Sequence, residues 1–322
     1  MRFMEKSARI YVAGHRGLVG SALARELERQ GYMNLLTRSH GELDLEDYTE
    51  VSRFFSEERP DYVFLAAARV GGILANNTYP AEFIYKNLMI QNHVIHNSWK
   101  HNVRKLIFLG SSCIYPKLCP QPMREDHLMT GPLESTNSPY AVAKIAGIEM
   151  CWAYNRQYGT RFVPVMPANL YGPNDNFDLE TSHVLPAMIR KFHEAAQSGS
   201  GHVVLWGTGA PRREFLHVDD MARACVYLMD RETLDGVDFK SVLFNIGTGT
   251  DVTIRQLAEM VKQIVGFTGD IVWDIDKPDG MPQKQLDVSR LHAQGWKAEI
   301  SLEEGLRRTY EWYKANPLRQ IA

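Results

Sequence analysis

Short, wholly apolar runs alternate along the first half of the chain with stretches whose apolar residues recur at helical spacing. Residues 8–13 end in such a run, Ile10-Tyr-Val-Ala13, directly before Gly14. From 18 to 30, Leu23, Ala24 and Leu27 share one side with charges opposite, which predicts an amphipathic helix. The alternation predicts further strands at 33–37, 62–67, 106–109 and 162–166, and helices at 47–58, 80–101 and 138–158. Strands that are apolar throughout, separated by helices, form a parallel sheet covered on both faces. The pattern therefore predicts the α/β class, as a doubly wound parallel sheet of the dinucleotide-binding kind, with its ligand beyond the carboxyl ends of the strands.

Past Tyr171-Gly172-Pro173 the rhythm becomes irregular. A helix at 183–196, Gly/Pro-rich turns at 207–211 and 276–282, and a strand-like run at 242–247 remain legible. The expected organisation is a dinucleotide-binding domain at 1–172, with a return of the chain around 216–247. A smaller, interleaved α/β substrate lobe is expected at 173–215 and 248–322. A chain of 322 residues suits two unequal lobes. A hydrophobic content of 44% and a formal charge of −2 give no support for nucleic-acid binding, and no apolar run approaches a membrane span. Met1 to Lys6 lead into no apolar signal core, and Cys113, Cys119, Cys151 and Cys225 show neither metal-ligand spacing nor disulfide density. A reduced, cytoplasmic protein without a bound metal is expected.

The segment Gly14-His15-Arg16-Gly17-Leu18-Val19-Gly20 lies between the first strand and the first helix. Small residues there let backbone amides approach a pyrophosphate at the positive end of a helix. After the second strand no acid precedes Glu42, whereas Arg38 follows the strand and Arg16 projects from the glycine turn. Two guanidinium groups suit a 2′-phosphate, so NADP(H) is expected over NAD. Asp44 argues the other way, although Asp44 and Leu45 also suit the border of an adenine ring.

Tyr140 and Lys144 stand one helical turn apart in Ser138-Pro-Tyr-Ala-Val-Ala-Lys144. An ammonium so placed stabilises a phenolate that exchanges a proton with a carbonyl oxygen. The hydroxyl pair Ser111-Ser112 follows the fourth strand. Taken singly, Cys113 reads as a small buried hydrophobe, His183 as a cap or surface residue, and Trp206 as core. Asp219-Asp220 reads as a helix cap.

Together, Gly14 to Gly20, Ser111, Tyr140 and Lys144 resemble the extended short-chain dehydrogenase/reductase superfamily. Four strings narrow the resemblance: Ala66-Ala-Ala-Arg-Val-Gly-Gly-Ile73, Gly110-Ser-Ser-Cys-Ile-Tyr-Pro116, Pro167-Ala-Asn-Leu-Tyr-Gly-Pro173 and Arg213-Glu-Phe-Leu-His-Val-Asp219. They are similar to the family that epimerises and reduces GDP-4-dehydro-6-deoxy-D-mannose to GDP-L-fucose with NADPH. The similarity runs from about Arg9 to Trp312. It implies Ser111 and Tyr140 at the sugar O4, Cys113 as base, His183 as acid, and Lys144 on the nicotinamide ribose. Leu109, Gly110, Ser112, Pro167, Ala168, Asn169, Leu170 and His183 would complete the cofactor site. Val70, Gly71, Asn169, Lys191, Trp206, Arg213 and Asp279 would hold the GDP-sugar, and α-helices 80–101 and 138–158 would pair in a homodimer. Ala168 departs from the hydroxyl-bearing residue expected there. A 4-epimerase, a 4,6-dehydratase or a non-catalytic NADP sensor on the same scaffold are the alternatives; the dehydratase needs an acid where Cys113 stands.

Overall fold

β1 (Ile10–Ala13) leads through the glycine turn into α1 (Leu18–Arg29), followed by β2 (Leu35–Leu36), α2 (Tyr48–Glu58) and β3 (Tyr62–Leu65). A short α3 (Ile73–Thr78) precedes the long α4 (Pro80–Lys100), then β4 (Lys105–Leu109), α5 (Ser138–Tyr158) and β5 (Phe162–Pro167). The chain continues through β6 (Asn169–Tyr171), α6 (Val184–Ser198), β7 (His202–Trp206), β8 (Arg212–Arg213), β9 (Phe215–His217) and α7 (Val218–Met229). Last come β10 (Phe244–Ile246), β11 (Val252–Thr253), α8 (Ile254–Val265), β12 (Asp270–Asp274), β13 (Gln283–Lys284), α9 (Ser289–Ala293) and α10 (Leu302–Ala315). This computed structural model describes residues 4–231, 242–277 and 279–316. Parts of the expected N-terminal segment (1–3), of the return at 216–247 (232–241) and of the smaller lobe (278 and 317–322) lie outside the described residues.

Six parallel strands form the main sheet in the order β10-β5-β4-β3-β1-β2. The chain leaves β1 for β2 on one side and builds β3, β4, β5 and β10 on the other. The resulting switch point between β1 and β3 opens a crevice at their carboxyl ends. Every residue of β1, β3, β4 and β5 is buried, because helices cover both faces: α1 packs with α7, and α4 with α2 and α5. Burying such runs removes their side chains from water at about 25 cal/mol per Å² of apolar surface.

A second cluster of buried side chains, including Phe177, Ile189, Phe192, Leu257 and Tyr313, is built by α6, α8 and α10. Beside it run three small sheets, β11-β8-β13, the parallel pair β7/β12 and the parallel pair β6/β9.

Several boundaries depart from the sequence expectation. The strand expected at 33–37 shrinks to β2, because it is a sheet edge where only Leu35 and Leu36 pair with Ile10 and Tyr11; Met33 is 82% exposed. α3 was not expected, since six residues carry too little periodicity. It is braced by Asn76, whose amide donates to the carbonyls of Gly71 at 2.8 Å and Gly72 at 3.0 Å. Asp47 caps α2 by accepting from the amides of Thr49 and Glu50, a contribution of about 1 kcal/mol. At α7 the cap is His217, not Asp219-Asp220. Asp219 instead pairs with Arg25, and buried Asp220 accepts from the amide of Ile300 at 2.8 Å.

Candidate active site

The glycine turn is shaped by close approach. Gly14 has φ +84, and a Cβ on it would meet the Ala67 backbone at 2.8 Å. A Cβ on Gly20 would lie 2.0 Å from the Gly14 carbonyl oxygen. Gly17 caps α1 without a side chain on the free amides, and the first turn holds no acid, so the positive end of this helix stays open to an anion. Gly14, His15, Arg16, Gly17, Arg38, Ser39 and His40 line a cavity of about 280 Å³ there. A dinucleotide pyrophosphate fits this cradle. Leu18 and Val19 form the first turn of α1, and Gly20 is buried against the loop. Gly20→Ala is expected to cost about 1–3 kcal/mol through overpacking and to abolish cofactor binding; a thermal melt with and without NADPH checks both.

Arg38 and Arg16 both reach the cavity, on different terms. Arg16 is exposed, whereas Arg38 pairs with Glu58 and donates to the Thr37 carbonyl at 2.8 Å. Burial, then the neighbouring Arg16, lowers the His15 pKa. Asp44 accepts from the Glu46 amide at 2.9 Å, and Leu45 is buried with its carbonyl 3.0 Å from His93 Nδ1.

At the carboxyl end of β4 the chain turns through a single 3₁₀ turn, Ser112–Ile114, capped by Ser111. Ser111 Oγ lies 3.0 Å from Cys113 Sγ and hydrogen-bonds the Tyr140 hydroxyl. One hydroxyl thus joins thiol and phenol. Asn137, just before α5, donates to the Cys113 carbonyl at 3.1 Å and ties this turn to the helix that carries Tyr140 and Lys144. Tyr140 and Lys144 are buried. Burial and the neighbouring Cys113 push the Tyr140 phenol well above the ordinary range, against the Ser111 hydrogen bond, so it stands protonated at neutral pH. Burial brings Lys144 down to about 8, partly offset by Cys113. Its Nζ donates to the Leu109 carbonyl at 2.8 Å and lies 5.9 Å from the Tyr140 ring centroid. The lysine is anchored on β4, one helical turn from the phenol, which turns to Ser111. Gly110 donates to Val165, and Ala168 to Ile246, so Pro167, Ala168, Asn169 and Leu170 border the same end of the sheet.

His183 precedes α6 in a loop docked on the Val70–Gly72 segment through a Gly72 N–H bond to the Thr181 carbonyl at 3.1 Å. The imidazole is solvent-accessible yet flanked by protein on most sides. This partial desolvation, followed by the charge of Lys284, lowers its pKa. Val70 is exposed.

Farther out, Trp206 is 64% exposed rather than core, because alternation along β7 turns Val203 and Leu205 inward instead. Lys191 Nζ lies 6.0 Å from its ring centroid and donates to the Val204 carbonyl at 3.1 Å. Burial depresses the Lys191 pKa. Arg213 donates to the Met281 carbonyl at 2.6 Å. Asp279 accepts from the Thr208 amide and hydroxyl at 2.7 Å each, and its charge supports Arg213. Asn169 Nδ2 donates to the Glu214 carbonyl at 2.7 Å.

Two residues had no sequence signal of their own. Glu214 is buried, and its carboxylate accepts from the amides of Thr248 at 2.6 Å, Gly249 at 2.8 Å and Leu286 at 2.7 Å. It bolts two separate segments, 248–249 and the one holding Leu286, to the strand that carries Arg213. Lys284 on β13 pairs in register with Arg213 on β8. No group of three or more His, Cys, Asp or Glu among the described residues is arranged to hold a metal, and no helix among them is long and apolar enough to cross a membrane.

A parallel sheet with a glycine cradle at its switch point and a Ser-Tyr-Lys cluster at the end of β4 defines a dinucleotide-dependent enzyme scaffold of the extended short-chain dehydrogenase/reductase type. The chain belongs to the NAD dependent epimerase/dehydratase family, whose pattern matches residues 10–247. It is 58% identical over 312 residues to GDP-L-fucose synthase 1 of Arabidopsis thaliana, covering 97% of this chain and 95% of the relative. It is 55% identical over 311 residues to GDP-L-fucose synthase of Escherichia coli (strain K12), covering 96% and 97%. The solved structure of a GDP-L-fucose synthetase from Naegleria fowleri bound to NADP superposes with a TM-score of 0.90 at 28% identity, covering 98% of this chain and 95% of that one.

Proposed function

We propose that this chain converts GDP-4-dehydro-6-deoxy-D-mannose to GDP-L-fucose, epimerising C3 and C5 before reducing the C4 ketone with NADPH. The observation that carries the reading is the join of thiol, hydroxyl and phenol at the end of β4, on the same carboxyl edge of the sheet as the pyrophosphate cradle.

A ketone at C4 makes the C3 and C5 protons acidic, because the carbanion delocalises onto O4. Ser111 and Tyr140 hydrogen-bond O4 and stabilise the charge that develops there. Cys113, as thiolate, takes the proton from one face of the carbon. His183 returns a proton to the opposite face, and the configuration inverts. NADPH, when bound, supplies the hydride that C4 accepts. Tyr140 then passes its proton to O4. Lys144 holds the nicotinamide ribose, and its charge eases the phenolate left behind.

Gly14, Gly17 and Gly20 admit the pyrophosphate, with His15, Leu18 and Val19 completing the turn. Arg16 and Arg38 read the 2′-phosphate, and Asp44 and Leu45 border the adenine. Leu109, Gly110, Ser112 and residues 167–170 line the nicotinamide end. The cofactor thus sits on 1–172 with the return at 216–247, and the lobe of 173–215 and 248–322 holds GDP. Lys191 and Arg213 suit the diphosphate, exposed Trp206 the guanine, and Val70, Gly71 and Asn169 the sugar. Asp279 keeps Arg213 in place.

Exposed Tyr85 on α4 and Val142 on α5 support a homodimer through these packed helices. Four free cysteines support a cytoplasmic location.

Incubation with GDP-4-dehydro-6-deoxy-D-mannose and NADPH in deuterated water tests the reading. NMR should show deuterium at C3 and C5 of GDP-L-fucose, with one NADPH consumed per product. NADPH left intact would instead mean a 4-epimerase or dehydratase.

A further inference from the structure

We infer that Asn87 and Phe83 on α4 are positioning residues, which hold segment 69–72 as a strap between the phenol of Tyr140 and the loop that carries His183. The inference deepens the reading above and rests on the roles proposed there for those two groups and for Val70 and Gly71.

The strap begins where the sheet stops. Leu65 is the last residue of β3 in register with β1 and β4, so the backbone farther on must find its hydrogen bonds elsewhere. At Arg69 a side chain supplies them. Buried Asn87 accepts from the Arg69 N–H through Oδ1 at 3.0 Å, and its Nδ2 donates to the Arg69 carbonyl at 3.0 Å and to the Phe83 carbonyl at 2.7 Å. One amide thus stands in for a neighbouring strand. A short side-chain amide offers donor and acceptor together, which neither a carboxylate nor an aliphatic group does.

Phe83, one helical turn before Asn87, works on the next part of the strap. Its buried ring lies edge-on to that of Tyr140, with centroids 6.3 Å apart and 78° between the planes. A Cβ on Gly71 would lie 3.2 Å from Phe83 Cζ, and the Arg69 guanidinium lies 5.9 Å from the ring centroid. The same ring therefore packs against both the strap and the phenol.

At the far end, Asn76 holds the carbonyls of Gly71 and Gly72, and the Gly72 N–H reaches the Thr181 carbonyl at 3.1 Å. A Cβ on Gly72 would lie 3.1 Å from the Ser182 carbonyl oxygen and 3.3 Å from that of Thr181. The receiving loop is itself fixed, because the Thr181 N–H and hydroxyl donate to Asp178 Oδ1 at 2.9 and 2.8 Å. His183 follows as the residue that opens α6. A chain extends by at most about 3.3–3.6 Å per residue, so a short strap clamped at both ends limits how far the His183 loop can move from Tyr140. A hexose resting on Val70 and Gly71 is then presented to phenol and imidazole at once.

The test compares the intact enzyme with Asn87→Asp and Asn87→Leu, which lose the amide donors at nearly constant size. Phe83→Leu frees the Tyr140 ring, and Gly72→Ala crowds the Thr181 and Ser182 carbonyls. NADPH binding reports folding. Incubation with GDP-4-dehydro-6-deoxy-D-mannose and NADPH in deuterated water gives kcat and KM, and NMR gives the stereochemistry of the product. A misplacement of about 1 Å costs about 10²-fold, so kcat should fall by about that factor. Part of the product should be reduced at C4 without inversion at C3 or C5. Backbone hydrogen exchange at 69–72 should quicken in the Asn87 variants, while that of β1 and β4 stays as in the parent. Folded variants with the parental kcat and a fully inverted product overturn the inference. A parallel loss of NADPH binding and of both reaction steps in all the variants also overturns it, because these residues would then only support the fold. A parent enzyme that forms no GDP-L-fucose defeats the proposed reaction instead, and exchange at 69–72 still decides whether α4 holds the strap.

Discussion

Tyr140→Phe should slow reduction of the C4 ketone by roughly 10²–10⁴-fold, the usual contribution of a positioned general acid, while exchange of the sugar's C3 and C5 protons with solvent continues. The phenol is buried and held protonated beside the Ser111 hydroxyl. Removing it takes away the proton that O4 needs when hydride arrives. Ser111 remains to bear part of the enolate charge, so the earlier steps are slowed less. Folding should change little, because the lost hydrogen bond contributes on the order of 1 kcal/mol. NADPH absorbance and deuterium incorporation, measured on the same sample, separate the two outcomes. Loss of both in equal measure would contradict the division of labour between phenol and thiol.

Cys113→Ala should suppress deuterium incorporation at C3 and C5, again by roughly 10²–10⁴-fold, with NADPH affinity retained. Alanine keeps the small apolar volume of a half-buried side chain and the 3₁₀ turn, whose cap is the Ser111 side chain, and deletes only the thiol. Cys119, Cys151 and Cys225 cannot substitute. All three are buried, and burial raises the pKa of each, which works against a thiolate. Unchanged exchange in this variant removes Cys113 as the base and leaves the packing of its sulfur as its only role.

Much of the site could be read before any coordinates because it is local. Gly14 to Gly20 act within one turn, and the need for glycine there comes from contacts with residues a few positions away or on the next strand. Tyr140 and Lys144 are one helical turn apart by spacing alone. The buried strands announced themselves as apolar runs, since a strand covered on both faces has no polar side to alternate with. Edges and caps were less legible. β2 lost its outer residues because an edge strand has one neighbour, and α7 took its cap from His217 because Asp220 was needed by the Glu299–Ile300 backbone.

Periodicity and spacing, then, were enough to specify a parallel nucleotide-binding sheet, its glycine cradle and the tyrosine–lysine helix, since each depends on contacts within a turn or a strand. Which residues meet around Arg213 was settled by folding alone. Glu214 gathers amides from Thr248, Gly249 and Leu286, and that bolt, with the pairing of β13 on β8, sets Lys284 opposite Arg213. Residues so far apart in the chain carry no mutual pattern, because their meeting is fixed by strand register and by tertiary packing.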